Sequence, residues 1–266
     1  MSLVARACLL FALVLAGCAP ASRDEAASSS VDSTAAFARG IADAHGAAAW
    51  RAAPGFTAEI DMKFANGGTA GRMTIRPDMS CTRFDLLSGD VLAFDGTNAW
   101  VMPPDSKFQG GRFHALTWPY FLLVPTKLQD PGARLELLGP RVLRDRTFDT
   151  ARLTFDPGTG DSPDDWYVLY RDPASGRLEA MGYIVTYGAS RAEAEKEPHA
   201  ITYHDFVEVD GMWVPTRWQF WKWSEAGGIT GEPIGVITLA NPRSVATPDS
   251  LFIRPAGARI ESRPRG

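Results

Sequence analysis

Cysteine and histidine are scarce in the 266-residue sequence, at three and four residues, and no HxH, HExxH or CxxC spacing occurs. The zinc sites and redox motifs that depend on those spacings are excluded. His199 and His204 are five positions apart and fall on opposite faces of a regular strand, so they share no metal. Positive charge is not in excess either: 27 Lys and Arg stand against 31 Asp and Glu, for a formal charge of -4. A nucleic-acid partner, which would need a basic surface, is therefore not expected. Long apolar runs are missing. A membrane-spanning helix needs about 20 apolar residues, and the most apolar uncharged stretch, Ala7 to Ala16, has ten.

What is plentiful is turn-forming residue types, 25 Gly and 19 Pro, together with 45% hydrophobic residues. That balance describes a chain that buries a core of its own through many short elements. At its start, Arg6 and the ten apolar residues after it read as the n- and h-regions of an export signal. The apolar run closes on Leu15-Ala16-Gly17-Cys18. This resembles the lipobox of bacterial lipoproteins, and the resemblance implies a signal peptide over 1–17, cleavage before Cys18, and a lipidated Cys18 whose thiol carries diacylglycerol and whose amino group carries an acyl chain such as palmitate. Several acyl chains on one residue anchor a protein firmly, because each buried methylene contributes about 0.8 kcal/mol. Residues 18–33 then form a small, polar tether without a periodic apolar face. Ala19 is not the aspartate that retains enteric lipoproteins at the inner membrane, which favours the outer membrane. Once Cys8 leaves with the signal and Cys18 is acylated, Cys81 has no cysteine to pair with; its setting in Met79 to Phe84 suits a buried small hydrophobe.

Residues 34–266 read as one β-rich domain. Phe37, Ile41 and Ala44 share a helical face, with Asp32 and Ser33 available as caps before Thr34. From Phe56 to Phe64 the period changes to two, with apolar residues at every even position, which is a half-buried strand. Further strands are expected at Arg72 to Arg76, Thr82 to Leu87, Val91 to Asp95, Asn98 to Met102, Thr147 to Phe155, Trp166 to Arg171, Leu178 to Tyr187, His199 to Val209, Met212 to Trp223 and Ile234 to Ala240. Asp95-Gly96, Asp172 to Gly176 and Asp210-Gly211 supply hairpin turns. Short turns between successive strands require antiparallel pairing. The expected architecture is mainly β (α+β): a half-open antiparallel barrel of about ten or eleven strands, with an N-terminal helix and a short helical insert at Thr117 to Pro125. This insert, apolar nearly all round, suits either a core helix or a lid over a cavity.

No catalytic constellation is expected. Gly188-Ala189-Ser190-Arg191-Ala192 has Ala where a nucleophile elbow ends in Gly, and no parallel sheet surrounds it. Asp156, Asp161, Asp164 and Asp165 crowd one loop without the EF-hand order and read as a solvated acidic turn. No cofactor or metal follows from the sequence. Aromatic residues occupy both faces of the strands around Trp166 to Tyr170 and Trp213 to Trp223, so one face can pack helices while the other lines a cavity, or the barrel can be solidly filled with aromatics left at its surface.

The lipobox, the N-terminal helix, the long meander, the helical insert and the closing Phe252 to Arg259 stretch together resemble the LolA/LolB-like bacterial envelope lipoproteins, as do Asp165 to Tyr170 and Leu178 to Tyr187. The resemblance implies an unclosed barrel whose helices cover a cavity for acyl chains or other hydrophobic ligands. The expected function is binding or carrying a lipid or other hydrophobic small molecule at the outer membrane, facing the periplasm, with Trp118, Tyr120, Phe121, Trp166, Tyr170, Trp218 and Phe220 as candidate ligand-binding residues. The alternative is a filled barrel that docks another envelope protein. Replacing Cys18 by Ser is expected to abolish incorporation of radiolabelled palmitate and to move the protein out of the membrane fraction; persistent labelling of the Ser variant would refute lipidation at this residue.

Overall fold

The computed structural model describes residues 23–263, with side-chain surroundings from Ser33 onward. The signal segment and Cys18 lie outside the described residues. Helix α1 (Arg23–Ala44) occupies most of the stretch expected as a flexible tether. Neither Gly nor Pro interrupts α1 before Gly40. Phe37, Ala38 and Ile41 of α1 are buried. At Gly46, with φ 74°, the chain breaks before α2 (Ala47–Ala52), and a Cβ there would fall 1.9 Å from the carbonyl oxygen of Gly211. Only glycine permits this approach.

The sheet then builds in two runs. The first comprises β1 (Phe56–Phe64), β2 (Gly67–Ile75), β3 (Thr82–Leu86), β4 (Val91–Phe94) and β5 (Ala99–Met102), and is followed by helix α3 (Gly111–Lys127). The second comprises β6 (Ala133–Leu143), β7 (Arg146–Phe155), β8 (Tyr167–Arg171), β9 (Leu178–Tyr183), the one-turn helix α4 (Arg191–Ala194), β10 (His199–Val209), β11 (Met212–Ser224) and β12 (Gly228–Ser244). A short β13 (Arg259–Glu261) closes the chain. All neighbours pair antiparallel, in the order β13-β5-β4-β3-β2-β1-β12-β11-β10-β9-β8-β7-β6. The sheet is mainly β, unclosed, and long enough to curl.

Two of the thirteen strands among the described residues were not legible in the sequence. Gly139 and Pro140 interrupt the alternation of β6, and the register shifts between Leu137 and Gly139. Pro140 is tolerated because β6 is an edge strand. β13 has three residues, too few to show a period. The meander is split at the helical insert: β1 pairs with β12, with Ile60 opposite Leu239, while the consecutive strands β5 and β6 stand near opposite edges.

Both faces of the second run are packed. The helices cover a core containing Ile60, Met73, Phe84, Leu169, Met181, Ile201, Trp218 and Phe220. On the other face of the second run, Phe148, Trp166, Val168, Tyr170, Trp221 and Trp223 form a separate cluster. Arginine guanidiniums cover parts of it, with Arg144 4.0 Å from the Trp221 ring and Arg152 4.9 Å from that of Trp166. The Trp223 indole lies on Gly182, where a Cβ would come within 2.6 Å of it. No helix among the described residues is long and apolar enough to cross a membrane.

His45 fastens the α1–α2 joint to the sheet. Its Nε2 accepts a hydrogen bond from the Leu178 amide at 2.9 Å, and its carbonyl accepts one from the Trp213 amide at 3.1 Å. Burial, reinforced by nearby Arg177, pulls its pKa down to about 3. The unfolded chain therefore binds the extra proton more readily, and the stabilising contribution of neutral His45, fully present above pH 6.5, is lost as pH falls towards 3. Between pH 7 and pH 5 the stability of the native protein is expected to drop by about 2 kcal/mol more than that of His45→Gln; urea denaturation at the two pH values measures the difference.

Candidate ligand-binding cavity

Helix α3 is longer than the sequence indicates because its two prolines lie inside it and do not end it. A proline has no N–H and leaves the carbonyl four residues earlier without its helical donor. For Pro119 that carbonyl belongs to Ala115, and the buried Thr82 hydroxyl donates to it at 2.6 Å. For Pro125 it belongs to Phe121, and the buried Tyr203 hydroxyl donates to it at 2.7 Å. Thr82 is on β3 and Tyr203 on β10, so the helix is fastened to both runs of the sheet. The connection from β5 to β6 has to travel from one side of the open sheet to the other, and α3 makes that crossing over the face that holds the main core.

Beneath one side of α3 is a half-open cavity of about 330 Å³. Arg112, Phe113, Leu116, Thr117, Tyr120 and Phe121 reach it from the helix, at spacings that define a single helical face. Met79 in the β2–β3 turn and Phe94 on β4 come from the first run; Phe155 on β7, Tyr167 on β8, and Val185 and Tyr187 in the loop after β9 come from the second. The cavity thus occupies the unclosed seam, and most of its wall is apolar or aromatic. Tyr120 and Tyr167 pack against each other at 5.9 Å between ring centres. Burial raises the pKa of both hydroxyls, which stay protonated.

Part of the cavity wall is polar. Arg112 and Asp161 form a bidentate pair, with side chains only 5% and 11% exposed, through Nε and through Nη2 at 2.9 Å. Arg263 joins the same carboxylate at 3.0 Å. The Arg112 guanidinium also lies 5.6 Å from the Phe94 ring centre. Asp165 accepts hydrogen bonds from the Thr186 amide at 2.6 Å and the Thr186 hydroxyl at 2.7 Å. Burial outweighs these bonds and pushes its carboxyl up to about 6.

Of the residues expected to bind ligand, Tyr120 and Phe121 line the cavity. Trp118 turns to the core side of α3, 6.0 Å from both Phe64 and Phe220, and its indole donates to His114 Nδ1 at 2.8 Å. Burial lowers His114 to about 4, which keeps the imidazole a neutral acceptor. Trp218 and Phe220 are part of the main core, outside the cavity wall. Trp166 and Tyr170 belong to the cluster on the opposite face, because alternation along β8 sends Tyr167 and Leu169 inward and these two outward. Sequence reasoning missed Arg112 and Asp161, since 49 residues separate them and neither lies in a motif. The loop read as a solvated acidic turn instead sends Asp161 to Arg112 and Asp156 to Arg134. Ser190 caps α4, accepting from the Glu193 amide at 3.3 Å. No group of three or more His, Cys, Asp and Glu side chains suited to a metal ion occurs among the described residues.

A second concavity, of about 480 Å³, lies between α2 and the C-terminal end of α3. Arg51, Arg76, Asp78, Lys127 and Asp130 line it, so it is a wet, charged groove and not a seat for an apolar molecule.

No protein-family model matches the sequence, and no curated protein matches it. Solved structures do match the fold. A LolA superfamily protein from Nitrosomonas europaea superposes with a TM-score of 0.50 at 13% identity, over 79% of this chain and 98% of the other. A DUF1329 family protein from Desulfovibrio piger superposes with a TM-score of 0.55 at 12% identity, over 84% of this chain and 97% of the other. The chain has the LolA-like open-barrel fold.

The fastening of α3 is open to a double-mutant test. Tyr203→Phe is expected to cost about 1–3 kcal/mol by leaving a buried carbonyl without a donor. With Pro125→Ala in place, the backbone amide restored by that substitution can serve the Phe121 carbonyl, and the same Tyr203→Phe change is expected to cost clearly less. Urea denaturation of the four proteins measures the coupling; equal costs in both backgrounds would show that the hydroxyl does not replace the missing amide.

Proposed function

We propose that this protein is an outer-membrane lipoprotein, anchored through Cys18, whose domain faces the periplasm and holds a hydrophobic ligand in the cavity beneath α3. The observation that carries this reading is the cavity itself: about 330 Å³ of half-open space in the seam of an unclosed barrel, with a wall mostly of apolar and aromatic side chains. The anchor rests on the Leu15-Ala16-Gly17-Cys18 sequence after a short apolar segment. The fold likeness to a LolA superfamily protein supplies the architecture of a curled sheet under helices.

Binding is the whole of the proposed activity, and it needs no covalent step. Each square ångström of ligand removed from water contributes about 25 cal/mol, and the walls offer aromatic faces rather than a dense set of hydrogen-bond partners. The cavity is at the lower end of the volume range of small-molecule sites, about 300–1,000 Å³. It suits one slender ligand or one chain. A barrel filled solid, acting only as a docking platform, fits this open space less well.

A photoreactive fatty acid supplied to intact cells is expected to label the full-length protein on peptides that contain Leu116 to Phe121 or Tyr167. Filling the cavity by Leu116→Trp is expected to reduce that labelling about tenfold, with the melting temperature little changed. Labelling spread over the surface and indifferent to Leu116→Trp would overturn the proposal.

A further inference from the structure

We infer that the ligand is a single-chain amphiphile with an anionic head, and that Arg112 and Arg263 form the seat for that head at the polar part of the cavity wall. This rests on the proposed binding of a hydrophobic ligand in the same cavity and adds the chemistry of its other end. The lining falls into two groups: Phe113, Leu116, Tyr120, Phe121 and Phe155 are apolar or aromatic, whereas Arg112, Asp161 and Arg263 are tied together in one ion-pair cluster. Such a division matches a molecule with one apolar and one charged part.

The sign of the charge follows from the donors. Each guanidinium has five N–H donors and no acceptor. Both arginines converge on one carboxylate, Asp161: Arg112 through Nε and Nη2, and Arg263 through Nε. Two cations therefore share one anion. A further carboxylate or phosphate placed there would accept charge-assisted hydrogen bonds from guanidinium N–H groups that Asp161 leaves unused. Asp165, the other carboxyl lining the cavity, is occupied by the Thr186 amide and hydroxyl, with the Tyr167 hydroxyl at 3.4 Å. It is therefore less available as a partner for a cationic head. The Arg112 guanidinium is placed by its pair with Asp161 and by the Phe94 ring, so an arriving head meets a preformed group. Arg263 is the adaptable half, with its side chain 66% exposed at the mouth.

Three photoreactive probes of equal chain length, a dodecanoic acid, a dodecanol and a dodecylamine, distinguish head from tail when titrated onto the full-length protein in its own membranes. Arg263 is exposed, so its replacement tests the seat without disturbing the core. Arg263→Gln is expected to raise the half-saturating concentration of the acid probe about tenfold and to leave the alcohol probe unchanged. Arg263→Glu is expected to weaken the acid probe further and to tighten the amine probe. Because each probe is compared between variants in the same membrane, its partition into lipid cancels. Variants that move acid and alcohol alike, or that move neither, would overturn the anionic seat while the hydrophobic cavity stands. Failure of all three probes to label the cavity peptides in the native protein would overturn both readings.

Discussion

Two carbonyl groups deprived of their helical donors decide where the covering helix lies. Pro119 and Pro125 free the oxygens of Ala115 and Phe121, and a buried acceptor without a partner costs about 1–3 kcal/mol. The hydroxyls of Thr82 and Tyr203 meet that requirement from two strands on different sides of the sheet. A helix with an unbroken backbone would offer no such attachment points and could slide on its apolar face. The prolines thus turn a non-directional contact into a directional one, and they do so where α3 spans an unclosed sheet.

The cavity follows from this attachment. Strands β5 and β6 are joined through α3 yet stand near opposite edges, so the seam between the edge strands β13 and β6 is left without backbone pairing and is covered by the helix. Side chains from α3 and from both runs of strands meet there without closing the space. The dense aromatic packing elsewhere makes the gap distinctive. The second cluster, around Trp166, Trp221 and Trp223, secures the outer face, where Arg144 and Arg152 cover indole rings that would otherwise meet water.

Local pattern made much of the fold readable. Strict alternation marked β1 at its true limits, Phe56–Phe64, and Asp210-Gly211 marked the β10–β11 hairpin, because pleat and turn chemistry act between near neighbours. Strand β6 escaped because Gly139 and Pro140 break its alternation, and that break is harmless only at an edge that the sequence does not announce. Of the seven aromatic residues expected to bind ligand, two lie in the cavity wall. Tyr120 and Phe121 stood out as aromatic residues in an apolar insert and do line the cavity, whereas Trp166 and Tyr170, equally aromatic, face the other way.

Composition and local order alone determined a mainly antiparallel, curled β chain with a buried helical insert, since periodicity, turn residues and the lack of long apolar runs act over a few residues at a time. Which aromatic face is turned to the helices, how two internal prolines are satisfied, and the meeting of Arg112 with Asp161 were decided only by tertiary structure. Each of these requires groups far apart in the chain to arrive within hydrogen-bonding or packing distance, and the closure of the sheet edges onto one helix is what brings them there.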